Sequence, residues 1–159
     1  MSKRMVIYCV LLIVIFLFCA CQSQLPKEVP NNLKITYLHR ADEAVAYTGR
    51  IKQTTISGNQ ITVEKMNCSK TYQGTLSERE IEWIYNSFTK AEFDLIENQP
   101  PANEGEKGFQ EIQIQAGNIS KTVRKGERFP LSEKSEKLFN SLWTDNLDRL
   151  VDLFPLGCN

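Results

Sequence analysis

The chain has a single histidine, His39, among its 159 residues. It carries no G-x-S-x-G elbow, no H-E-x-x-H helix, no phosphate-binding loop and no dinucleotide fingerprint. Each absence removes a class of chemistry that announces itself in sequence: the serine-elbow hydrolases, the zinc proteases, the nucleotide hydrolases and the dinucleotide oxidoreductases. Charge of one sign is lacking too, with 19 Lys+Arg against 19 Asp+Glu. That balance offers no basic field for nucleic acid and no electrostatic attraction to anionic lipid. One histidine and a few widely spaced cysteines are a poor basis for a zinc site. No metal, cofactor or nucleic-acid partner is expected, and an enzyme is not the first reading.

What is present begins at the first residue. Lys3 and Arg4 precede an apolar run from Met5 to Ala20 without charge or proline. The run is shorter than the ~20 residues a membrane-crossing helix needs, and it fits the apolar region of a signal peptide. It closes in Phe18-Cys19-Ala20-Cys21, a small residue directly before a cysteine. This opening resembles the precursor of a bacterial lipoprotein, apart from Phe18 where leucine is usual. The resemblance implies a signal peptide over residues 1–20, cleavage after Ala20 and acylation of Cys21. Cys19, behind the large Phe18, is the poorer candidate. The alternative is a membrane anchor that is never cut.

Removing residues 1–20 leaves 139, a length that fits one domain with a core. The membrane is then a partner through the lipid alone, because two or more acyl chains anchor stably. Gln22 follows Cys21, and it is not the aspartate that retains many Gram-negative lipoproteins in the inner membrane. By resemblance, the outer membrane facing the periplasm is favoured; in a Gram-positive cell the place is the outer face of the cytoplasmic membrane. Once Cys9 and Cys19 leave with the signal and Cys21 takes lipid, Cys68 and Cys158 remain. In an oxidising compartment this even pair forms one disulfide, worth about 4–5 kcal/mol on the chain-entropy model. The alternative is two unpaired thiols.

Residues 21–32, polar with two prolines after the cysteine, read as a tether, and residues 33–159 as one globular domain. Leu33, Ile35 and Tyr37 alternate as in a half-buried strand. Gly58-Asn59 joins two strands in a type II′ hairpin, which puts Thr54, Ile56, Ile61 and Val63 on one face. Residues 69–76 make a fourth strand. Ser77 and Glu80 form a capping box ahead of a helix with Ile81, Ile84, Tyr85 and Phe88 on one stripe. Phe93, Leu95 and Ile96 continue the core, and residues 97–108 form a Pro/Gly/Glu-rich loop. A second hairpin turns at Gly117-Asn118 and sets Glu111 opposite Arg124. A final helix, residues 133–153, is capped by Ser132. The order predicts an α+β fold: an antiparallel sheet of five to six strands with two amphipathic helices on one face. The two hairpin–helix halves echo each other (Leu76-Ser77-Glu78-Arg79 and Leu131-Ser132-Glu133-Lys134), by duplication or by convergence of capped helices.

Reactive groupings are few. His39 could act as a base only with Asp42 or Glu43 behind it, the basis of a less favoured small-hydrolase reading. Glu78, Glu80 and Glu82 suit a helix N-terminus better than acid–base work. Lys121, Arg124, Lys125 and Arg128 read as a solvated strand face rather than a site for an anionic partner. The wet sheet face, with Gln53, Thr55, Thr62, Glu64, Gln113, Gln115 and Thr122, offers adaptable polar contacts, and an open edge strand can accept another strand.

The segments Ile35-Thr36-Tyr37, Gly74-Thr75-Leu76-Ser77-Glu78-Arg79-Glu80 and Phe93-Asp94-Leu95-Ile96 resemble those of small secreted bacterial domains, among them the emfourin-type inhibitors of thermolysin-like proteases. That resemblance implies protease inhibition as one role and carries no inhibitory residue across. The expectation is a lipid-anchored envelope protein whose domain binds another protein or serves as a structural module. The alternative is a small-ligand-binding lipoprotein with an apolar pocket between sheet and helices.

Overall fold

The computed structural model describes residues 24–41, 51–66, 71–97 and 99–152. Its strands are β1 (Lys34–Arg40), β2 (Ile51–Ser57), β3 (Gln60–Lys65), β4 (Thr71–Thr75), β5 (Phe109–Ala116) and β6 (Ile119–Gly126). The helices are α1 (Glu78–Lys90) and α2 (Glu133–Asp152), with a 3-10 turn at Phe93–Leu95. All strand pairs are antiparallel, in the order β4-β3-β2-β1-β5-β6. The chain therefore has the α+β fold its sequence predicts.

Both hairpins turn where glycine allows it. Gly58 and Gly117 hold φ of 57° and 60°, while the asparagines after them do not have positive φ, as a II′ turn requires. Ser57 pairs with Gln60 and Ala116 with Ile119, so each hairpin's register follows from its two-residue turn. One sheet face buries Ile35, Tyr37, Thr54, Ile56, Ile61, Val63, Ile112, Ile114 and Val123. Side chains of both helices converge on it. Tyr37 meets Phe88 of α1 and Trp143 of α2 with ring centroids 6.3 and 6.0 Å apart, and Arg149 of α2 lies 4.1 Å over the Trp83 ring of α1.

A polar knot sits inside this packing. Asn146, fully buried, donates to Tyr37 Oη at 2.8 Å and to Ser87 Oγ at 2.9 Å, joining β1, α1 and α2. Burial pushes the Tyr37 phenol well above its usual range, against the opposing effect of the Asn146 bond.

The expected tether is different. From Gln24 onward the chain lies against the domain, so the folded unit begins well before Leu33. The Gln24 N–H donates to Asp94 at 2.6 Å, Leu25 is buried in the core, and Tyr85 Oη donates to the Pro26 carbonyl at 2.7 Å. Asn32 exchanges two 2.8 Å hydrogen bonds with the Gly117 backbone. A side chain at Gly117 would crowd Pro26, whose Cγ lies 3.2 Å from a Cβ built there. Prolines 26 and 30 stiffen the segment, so docking it sacrifices little entropy, and Leu25 adds apolar burial. Leu95 also departs from expectation: it is 40% exposed, while Phe93 and Ile96 beside it are buried. Phe93 and Ile96, three positions apart across the 3-10 turn, fall on the same side, which leaves Leu95 facing out.

Candidate functional site

The sheet face turned away from Tyr37 is built in rows, because residues paired across antiparallel strands point the same way. The middle row runs Gln73, Thr62, Thr55, Thr36, Gln113, Thr122, one residue from each strand in spatial order. A second row runs Thr75, Gln60, Ser57, Lys34, Gln115, Ser120. Of these twelve positions one is charged and none is apolar. Gln113, Gln115, Gln73 and Gln60 are exposed, and Thr55, Thr62 and Thr122 are half-buried. This is the wet face the alternation predicts, extended by residues of β1 and β4.

The third row ends in charge. Glu111 and Arg124, paired across β5 and β6, are largely buried, and Arg124 Nε lies 2.5 Å from Glu111 Oε2. That N–H finds no directed hydrogen bond, so the contact is ionic. Gln113 Nε2 donates to the other carboxylate oxygen at 2.5 Å. The 97–108 loop encloses the pair. Arg124 donates from Nη1 to the Pro100 carbonyl and from its backbone N–H to Gln99 Oε1. Asn103 and Glu106 tie the loop to itself, and Arg128 meets Glu106 at 3.3 Å. Between loop and sheet is a cavity of about 470 Å³, bordered by Leu38, Arg40, Asn103, Glu104, Phe109 and Glu111 among others. A cleft of about 660 Å³ separates the N-terminal segment from α1, with Lys27, Glu28, Val29, Glu78, Ile81 and Glu82 on its walls.

The basic cluster is dispersed by the strand period. Arg124 takes one face of β6 with Glu111, and Lys121 and Lys125 take the other. Lys121 Nζ donates to the Ile96 carbonyl; burial pulls its pKa down, against Asp94 and Glu97. Lys125 reaches Asn140 at 2.7 Å and Glu136 at 3.0 Å. These four cations serve internal contacts. Glu80 completes the capping box: the Ser77 N–H donates to it at 2.7 Å, and the Ser77 bonds hold its carboxyl below the ordinary value.

Glu97 has a role its position in sequence does not reveal. It accepts from the Ser132 N–H at 2.8 Å and from the Ser135 hydroxyl, at the start of α2. These bonds hold its carboxyl at about 2. The only sequence signal is that Ser135 stands at N3 of α2, where α1 has a glutamate.

His39 is half-buried with its ring edge-on to Trp143, centroids 6.2 Å apart. Asp42 and Glu43, the acids it would need, lie outside the described residues, as do Cys21, Cys68 and Cys158. The space between sheet and helices, where a small ligand would need an apolar pocket, is filled by Tyr37, Phe88, Phe93 and Phe139. Among the described residues no cluster of three or more His, Cys, Asp or Glu is arranged for a metal ion, and no helix is long and apolar enough to cross a membrane. Comparison with known protein families and with characterised proteins finds no match for the chain.

Proposed function

We propose that this chain is a bacterial lipoprotein, held in the envelope by acyl groups on Cys21, whose α+β domain is a non-catalytic protein-binding module. The observation that carries the reading is the junction Ala20-Cys21 at the end of a charge-free apolar run. With Gln24 docked on Asp94, only Gln22 and Ser23 separate the lipidated residue from the folded domain. Three backbone steps reach at most about 10 Å, so the domain works at the membrane surface and meets partners there. The broad Thr/Gln face supports binding: amides and hydroxyls adapt to several contacts and demand no single ligand shape. Inhibition of a thermolysin-like protease is a specific form of the same reading, suggested by the resemblance of the Gly74–Glu80 and Phe93–Ile96 segments. A disulfide between Cys68 and Cys158 belongs to the same exported state.

Fractionation of cells expressing single cysteine variants tests the anchor. Cys21→Ser is expected to abolish lipid labelling and leave the precursor uncut, while Cys19→Ser labels and matures normally. Labelling that survives Cys21→Ser would overturn the assignment.

A further inference from the structure

We infer that β4 is a self-pairing edge through which two copies of this chain join their sheets across a two-fold axis at Gln73. Among the described residues, the two edges of the sheet, β4 and β6, are treated differently by the fold. Beside β6 the chain supplies its own partners: the Arg124 N–H is accepted by Gln99, and Gly126 pairs with Phe129. That strand also carries three cations, a common guard against pairing. The sequence of β4, Thr71-Tyr72-Gln73-Gly74-Thr75, has neither charge nor proline, and Thr71, Gln73 and Thr75 are exposed.

The ladder fixes which backbone groups face outward. The Leu76 N–H donates to the Asn59 carbonyl at 2.8 Å, so Leu76, Gly74 and Tyr72 turn their backbone groups to β3. By the antiparallel alternation, those of Thr71, Gln73 and Thr75 point away from the sheet. A second copy in antiparallel register about Gln73 meets each of them. Thr71 then lies opposite Thr75 of the other copy, Gln73 opposite its own image, and Tyr72 opposite Gly74. Threonine pairs favour each other across strands, and an aromatic ring covers the gap that an edge glycine leaves. The strand is thus self-complementary in the register centred on Gln73, the one that pairs all five of its residues across a two-fold axis. Gln73 also ends the middle polar row, so pairing joins two rows into one uncharged ladder. The axis stands normal to the sheet and keeps both Gln24 residues on the same side, which suits two anchors in one membrane. The pairing itself does not depend on the lipid.

The test is the mass of the full chain in detergent, by light scattering with the detergent contribution subtracted, for wild type, Gln73→Lys and Gln73→Glu. The wild type is expected to be dimeric. Each variant alone sets like charges face to face at the axis and dissociates at least tenfold more readily, with unchanged circular dichroism. Mixing the two variants restores the dimer. A monomeric wild type, a dimer that survives Gln73→Lys, or a mixture that stays monomeric would each overturn the proposal.

Discussion

Thr54 is fully buried with no hydrogen-bond partner for its hydroxyl, between Tyr37 of β1 and Val63 of β3. Thr54→Val removes a desolvated oxygen while keeping the branched shape, and is expected to raise stability by about 1 kcal/mol in urea unfolding. Asn146 is the opposite case. Asn146→Leu strips Tyr37 Oη and Ser87 Oγ of their donor and is expected to cost about 2–3 kcal/mol. Glu97 adds a pH dependence. Its carboxyl sits at about 2 in the folded chain against an ordinary value of 4.5, so its contribution is complete above pH 4.5 and lost as pH falls through 2. Because Glu97 is exposed, that contribution is about 1 kcal/mol rather than what the full shift implies. Glu97→Gln should lower the urea midpoint at pH 7, and the gap from wild type should close towards pH 2. None of these three roles is legible in sequence. Each depends on residues brought together from distant elements, as when Glu97 meets Ser132 35 positions away.

At the scale of elements, the two helices begin alike and are finished differently. Ser77 receives its return contact from Glu80, three residues on, whereas Ser132 receives it from Glu97 in the loop. The first arrangement is visible as a local motif; the second needs the fold. Hairpins were legible for the same reason as the first cap: Gly58-Asn59 and Gly117-Asn118 set register within two residues. The N-terminal segment was not, because prolines and polar residues look alike in a free tether and in a docked one. What separates the two is Leu25, whose burial requires the finished core. Leu25→Ala is expected to lower stability by about 2 kcal/mol or more in urea unfolding; a free tether would leave it unchanged. The polar rows were half legible, since alternation assigns faces within each hairpin while the place of β4 and β1 in the sheet is a matter of topology.

At the scale of the whole molecule, the proposed function is that of a protein that stays at a membrane and presents a sheet. The apolar run, a leader on the proposed reading, ends in Ala20-Cys21, two residues separate Cys21 from the docked Gln24, and the Thr/Gln face lies across the sheet from the helices. Everything about location rests on the fate of that cysteine. The most direct test is the intact mass of the protein extracted from membranes, taken without and with reduction and alkylation. The account predicts a mass equal to residues 21–159 plus acyl groups, with Cys68 and Cys158 blocked until reduced. A full-length mass without lipid would contradict it and make the apolar run an uncut anchor.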